Sequence, residues 1–196
     1  MANSVLQSSE TNEWYTPQYI IDRVESTLGG IELDPASCQK AQQTVQADRY
    51  FGRGGEVEDG LSVDWRADTL FTNPPYGRDE NFRSNVTKWS EYLFDQWVAG
   101  HVNSAILLTF AHPSRQWFYP FWNFPVCFLY KRIKFERSDG STGNSPPHCN
   151  AITYLPPKGT EDFDRFYQTW QEHGQIFDPV KQGKRSFEDY QLREFL

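Results

Sequence analysis

Basic charge is what this chain is short of. It carries 19 Lys and Arg against 26 Asp and Glu, a formal net charge of -7. That balance argues against a protein that coats nucleic acid by bulk electrostatics, where affinity comes from neutralising phosphates. It leaves room for an enzyme with one local basic face, and otherwise serves solubility. Cysteine is scarce too. Cys38, Cys127 and Cys149 are odd in number and lack metal-ligand spacing, so free thiols in a reducing compartment and no structural metal are expected. No basic segment followed by an apolar run opens the sequence, and no apolar run is long enough to span a bilayer. The expectation is a cytoplasmic chain with no membrane partner. Repeats and long linkers are missing, and 196 residues suit one domain with a proper core. The expected layout is a mobile polar segment at 1–12, a single domain over 13–180 and a charged peripheral tail over 181–196.

Glycine is missing where a nucleotide-binding fold would want it. Ile31 to Ser37 reads as a short buried strand with Asp34 at its carboxyl end, followed by a turn and a helix. Ligands of open α/β sheets bind at such strand ends, and an aspartate there can accept hydrogen bonds from an amine or a ribose. The following Ser37-Cys38-Gln39-Lys40 nevertheless carries no glycine. An Asp-Pro turn with capping explains Asp34-Pro35 about as well.

Aromatic residues and prolines are abundant, and they meet at Asn73-Pro74-Pro75-Tyr76-Gly77, just after the apolar run Leu70-Phe71-Thr72. Two consecutive prolines fix two φ angles and remove two backbone donors, so neither a helix nor a paired central strand can continue. Asn73 is pushed towards extended geometry. The product is a stiff loop at a strand end, bearing an amide, unpaired carbonyls and an aromatic face, with a glycine that admits close approach. These groups suit one task. The exocyclic amine of adenine is a poor nucleophile because its lone pair is delocalised into the ring. The Asn73 side-chain oxygen and the Pro74 carbonyl can each accept one of its N–H bonds and localise that lone pair towards an incoming methyl group. Tyr76 can stack on a base taken out of a duplex. A plain Pro-Pro turn is the alternative, but this tetrapeptide arises by chance in only about one in a thousand chains of this length.

Elsewhere the pattern alternates between strand and helix. Thr16 reads as an N-cap and Pro17 as the first position of a helix that ends at Gly29-Gly30. Trp14-Tyr15 is then either a hydrophobic staple or the wall of a cofactor site. Thr44 to Ala47 reads as a second strand, Gly52 to Gly60 as a surface loop, and Asn81 to Val98 as a helix. Asp48, Asp59 and Asp64 compete for ribose and adenine contacts. Ser104 to Phe110 reads as a buried strand, followed by the loop residues His112 and Arg115, the latter a candidate phosphate contact. Val126 to Phe135 reads as a strand that sends Lys131 to the face opposite Arg132. With Asn150 to Leu155 it predicts an antiparallel hairpin. Glu161 to His173 is an expected helix, and Gln175 to Phe177 a short strand.

In order, Glu13 to Pro17, Leu33 to Ser37, Arg49-Tyr50-Phe51, Asp59-Gly60-Leu61 with Trp65, Asn73 to Gly77, Trp117-Phe118, Arg132 to Phe135 and Ser145-Pro146 resemble the small phage-type DNA N6-adenine methyltransferases, the phage Dam family. The likeness runs from about Glu13 to Phe177. It implies an α/β, Rossmann-like class I methyltransferase fold, a mostly parallel sheet with an antiparallel hairpin and flanking helices. It also implies methyl transfer from S-adenosylmethionine to a flipped adenine of double-stranded DNA, in the cytoplasm of a bacterial host. By that likeness Asn73, Pro74, Pro75 and Tyr76 form the catalytic loop. Trp14, Thr16, Pro17, Asp34, Pro35 and Asp59 bind the cofactor, and Arg115, Arg132 and Lys134 meet DNA. Loops 111–125 and 136–150 would read a short site. Two departures stand out: the glycines missing after Asp34, and Lys131 where glycine is common. Asn73 rather than serine favours adenine over cytosine N4. The rival readings are methylation of RNA or of protein glutamine, and a catalytically silent DNA-binding or inhibitory protein on the same scaffold.

Overall fold

A computed structural model describes residues 14–137, 141, 148–160 and 163–179. The expectations for residues 1–12, Ser145-Pro146 and the tail from 181 lie outside the described residues. The elements are α1 (Gln18–Leu28), β1 (Leu33–Cys38), α2 (Gln42–Val45), β2 (Arg49–Arg53), β3 (Ala67–Thr72), α3 (Asn85–Ala99), β4 (Val102–Phe110), β5 (Val126–Leu129), β6 (Asn150–Leu155), α4 (Asp164–Trp170) and β7 (Gly174–Phe177). Short 3₁₀ turns occupy Gly60–Ser62 and Gln116–Asn123.

The seven strands form one mixed sheet in the order β2-β1-β3-β4-β6-β5-β7. Strands β1 to β4 run parallel, and β6 is antiparallel to both β4 and β5. The expected hairpin is therefore present, with β7 added antiparallel at its outer edge. Alternation along the strands divides the core in two. Leu70, Ala105, Leu107, Val126 and Ala151 point to one face, where Trp89, Leu93 and Trp97 of α3 and Phe118 and Phe121 of the second 3₁₀ turn cover them. Phe71, Ile106, Leu108, Cys127 and Ile152 point to the other, beneath Ile20, Ile21 and Val24 of α1 and Phe166 and Trp170 of α4. Each large apolar side chain so buried stabilises the fold by ~1.5–3 kcal/mol. Trp170 also donates its indole N–H to the Thr27 hydroxyl at 3.0 Å, which ties α4 to α1.

Several boundaries differ from expectation for identifiable reasons. Thr44 to Ala47 is no strand: α2 runs to Val45 and ends at Gln46, whose φ of 51° is left-handed. The Gln42 side chain accepts from the Ala47 amide at 2.9 Å, a bond that overrides the β-branched propensity. Pro17, not Thr16, is the N-cap residue of α1, and no side chain caps that end. α3 begins at Asn85 rather than Asn81 because Asp79 draws residues 79–83 into a separate turn. α4 covers only Asp164–Trp170. β5 stops at Leu129, where its partner β6 runs out, so the alternation assumed for Lys131 and Arg132 does not apply. Residues 131–137 instead cross the sheet's carboxyl edge. The buried Asn150 side chain accepts from the Ile133 amide at 3.2 Å, and Glu136 exchanges backbone hydrogen bonds with Tyr15 at 2.9 and 3.0 Å. Among the described residues no helix is long and apolar enough to cross a membrane.

Candidate active site

The order in which successive strands are added reverses at β1. Its neighbours are β2 on one side and β3 on the other, so the connections leave the β1/β3 boundary in opposite senses. Crevices at such a point, beyond the carboxyl ends of the strands, are where open α/β sheets hold ligands. Here β1 pairs with β3 at Leu33↔Leu70, and beyond that pair a cavity of about 360 Å³ opens. That volume lies within the usual range for small-molecule sites. Its walls include Trp14, Tyr15 and Thr16 before α1, Asp34 to Cys38 of β1, Gly52 and Arg53 of β2, Glu58 to Gly60, Asn73 to Tyr76, and Trp89 of α3.

β1 reaches this cavity through a bulge. Leu33 and Asp34 face Arg49 and Tyr50, but Ser37 faces Gly52, so β1 carries one residue more than β2 across that interval. Pro35, which lacks an N–H, sits within the bulge at no cost to the ladder. The bulge presses the β1 backbone outward. A Cβ on Gly52 would lie 1.9 Å from the Ser37 carbonyl oxygen, and one on Gly60 would lie 2.2 Å from that of Pro35. The glycines sought after Asp34 are therefore supplied from facing segments. The cluster Gly52-Arg53-Gly54-Gly55 was the available signal, hidden by its distance from Asp34 in sequence.

Asp34 is buried in the wall. The Ala36 amide donates to its Oδ1 at 3.2 Å, and Gln42 Nε2 donates to its Oδ2 at 3.2 Å. Gln42 also donates to the Ser37 hydroxyl at 2.8 Å. Burial dominates these bonds and raises the Asp34 pKa from 3.8 to about 7. Of the three competing aspartates, Asp59 alone lines the cavity, and its carboxylate accepts from the Leu61 amide at 3.0 Å. Asp64 instead lies 3.7 Å from Arg66 on the surface.

Across the cavity the tetrad is held at both ends of its amide. Asn73 Nδ2 donates to the Thr16 hydroxyl at 3.2 Å, and the Tyr76 hydroxyl donates to Asn73 Oδ1 at 3.0 Å. With the amide held this way, its oxygen keeps a second lone pair. Tyr76 is buried, which pushes its phenol pKa up and keeps it a donor. Its ring stacks on Phe110 with centroids 4.1 Å apart, so one face is already covered. Phe135, on the crossing segment, meets it edge-on at 6.3 Å. Neither Phe110 nor Phe135 carried a readable signal for this place, because only the strand order brings both beside Tyr76. Phe110 also packs against His112 and His148, whose rings are 4.8 Å apart. Burial holds the His112 pKa below its ordinary value, with the neighbouring charges of His148 and Arg115 adding to it.

The remaining sequence candidates are dispersed. Pro17 is buried behind Thr16 and is not among the lining residues. Trp14 lines the cavity, and the Arg137 guanidinium lies 5.8 Å from its ring. Arg132 and Lys134 line a second recess of about 670 Å³, with Arg23, Lys131 and His173. Arg115 is exposed at the start of the second 3₁₀ turn and does not join them.

Fold and cavity define a mixed α/β protein with a crevice at the reversal of its strand order and an Asn-Pro-Pro-Tyr loop on one wall. The model of the DNA N-6-adenine-methyltransferase (Dam) family matches residues 3–155, and the chain belongs to that family. The assignment makes it one of the enzymes that methylate adenine in DNA. A search of curated proteins gives no match.

Proposed function

We propose that this protein, a Rossmann-like class I methyltransferase in a single domain over 13–180, moves a methyl group from S-adenosylmethionine to the N6 of an adenine flipped out of double-stranded DNA. The observation that carries the reading is that the Asn73–Tyr76 loop and the Asp34/Asp59 wall border one and the same cavity. Acceptor and donor sites are thereby adjacent.

The lining residues fit the cofactor's chemistry. Its ribose hydroxyls and ammonium are donors, and Asp34 and Asp59 are acceptors. Trp14, Tyr15 and Trp89 supply apolar walls, and the Thr16 hydroxyl stands beside the tetrad. The space left by Gly52 and Gly60 lets the β1 bulge lie flat against the site. When bound, S-adenosylmethionine supplies an electrophilic methyl carbon on its sulfonium.

The chain's own groups then act on the base. Asn73 Oδ1 uses its second lone pair to accept one N6–H, and the Pro74 carbonyl accepts the other. Both bonds draw the amine towards tetrahedral geometry and expose its lone pair. Thr16 and Tyr76 keep the amide from turning, so the acceptors are in place before the base arrives. Asn73 is neutral, so the proton shed by the methylated amine leaves to solvent. Alignment and exclusion of water carry the rest of the rate. Lys134, Arg132 and Arg115 are assigned to phosphate contacts around the site.

The test supplies the purified full chain with tritium-labelled S-adenosylmethionine and, in turn, unmethylated plasmid DNA, RNA and protein. Label in DNA at N6-methyladenine is expected. Label confined to RNA or protein would move the substrate to another class. No binding of the cofactor at high micromolar concentration would instead support a silent scaffold.

A further inference from the structure

Immediately after Tyr76 the chain makes a turn that the chemistry described so far does not use. Asp79 organises it. Its Oδ1 accepts from the amides of Asn81 and Arg83 at 3.0 and 2.9 Å, and its Oδ2 is 2.9 Å from Lys88 Nζ. The Asp79 amide donates to the Arg83 carbonyl, and the Phe82 amide to the Asp79 carbonyl, each at 3.0 Å. Arg78 donates through Nη1 to the Phe82 carbonyl at 2.7 Å, and Arg78 pairs with Ser84 across the base. The feet of the turn stand on the tetrad: the Asn85 amide donates to the Gly77 carbonyl at 3.1 Å. At most three residue lengths separate Phe82 from Asn85, so its Cα lies within about 11 Å of that foot.

All this bonding holds one side chain in an unusual state. Phe82 has a φ of 60°, a left-handed conformation that bulky residues avoid. Its ring is 78% exposed, the most open of the large hydrophobic side chains described. A turn that needed only to close would place Asn, Asp or Gly at such a position, and Asn81 stands one residue too early to serve. Local strain at an exposed aromatic beside a reactive site points to something the ring meets.

We propose that Phe82 is a wedge that enters the base stack of duplex DNA and fills the gap left when the target adenine turns into the cavity. The inference rests on the adenine-methylating reading above. Apolar side chains inserted between base steps hold DNA open in this way, and a phenyl ring matches the flat face of any base. Arg78, bonded to the Phe82 carbonyl, puts a cationic group on the same turn, while Arg83 is paired with Glu91 at 2.8 Å. Phe82 is thus a positioning residue: it acts on the duplex, not on the reacting amine.

The experiment compares Phe82→Ala, Phe82→Trp and the unaltered full chain on native and heat-denatured plasmid DNA with labelled S-adenosylmethionine. Loss of one stacking contact corresponds to about a ten- to hundredfold change in equilibrium. Phe82→Ala should therefore lower the native-to-denatured rate ratio by about tenfold or more, with cofactor affinity held. Phe82→Trp should restore the ratio. A merely structural role for the ring would lower both rates together. An unchanged ratio in Phe82→Ala, with the parent active on duplex, overturns the wedge alone. A parent that labels neither form of DNA overturns the reading on which the wedge rests, and the wedge with it.

Discussion

Asp34→Asn should make this protein more stable and less able to bind its cofactor. Asp34 is buried at the cavity wall, and desolvation raises its pKa from 3.8 to about 7. Its charged form is therefore disfavoured by folding. Below pH ~3 the carboxyl is protonated in folded and unfolded chains alike, and it carries no penalty. As pH rises from 3.8 the unfolded chain ionises first and the penalty grows. Above pH ~7 both forms are ionised and the penalty is complete, at a ceiling of about 4 kcal/mol. Asparagine removes the charge and keeps an oxygen for the Ala36 amide, but it presents an N–H₂ to Gln42 or forces that side chain to turn. The lost bond to a charged group offsets ~1.5–3 kcal/mol. A net gain of ~1–3 kcal/mol at pH 8 remains, or a rise in Tm on the order of 2–10 °C for a domain of this size. Because the penalty itself shrinks by ~2–3 kcal/mol between pH 8 and pH 5, the gain should vanish or reverse near pH 5. Thermal unfolding of both forms across that range measures it. Calorimetry with S-adenosylmethionine should show weaker binding by the variant at pH 8, since a negative partner for donors is gone. A Tm difference that stays constant from pH 5 to pH 8 would refute the electrostatic account of Asp34.

Other substitutions test the remaining parts. Asn73→Ala should cut methylation by ~10²–10³-fold, as loss of one preorganised polar group does, while calorimetry finds cofactor affinity within a few-fold. Unchanged turnover would remove Asn73 from the chemistry. Tyr76→Phe keeps the ring against Phe110 but releases the Asn73 amide, so kcat should fall about tenfold with little change in cofactor binding. A KM effect alone would contradict that assignment. Gly52→Ala sets a methyl 1.9 Å from the Ser37 carbonyl oxygen at a φ of +113°, and it should cost ~2–4 kcal/mol in denaturant unfolding and abolish cofactor binding. Parental stability in that variant would mean the β1 bulge is not as tight as drawn. For the parent protein, affinity for the cationic cofactor should weaken as pH falls below about 7, when Asp34 takes up its proton. A flat affinity from pH 8 to pH 6 would separate Asp34 from the ligand.

Local chemistry was legible in the chain. Two prolines must break a strand wherever they stand, so Asn73-Pro74-Pro75-Tyr76 announced a rigid loop, and the apolar runs announced the strands that became β3, β4 and β6. What those patterns could not contain was distance. That Thr16 grips the amide of Asn73, that Phe110 covers Tyr76, and that Gly52 and Gly60 make the room absent after Asp34 are consequences of strand order. Strand order is decided by which faces pack together and not by any one segment. The same holds for the two misread stretches. Thr44 to Ala47 curls into α2 because Gln42 can bond at once to Asp34 and Ala47, and β5 stops at Leu129 because its neighbour ends there. Propensity speaks for a residue and its near neighbours, whereas hydrogen-bond partners far along the chain exist only once the sheet has assembled.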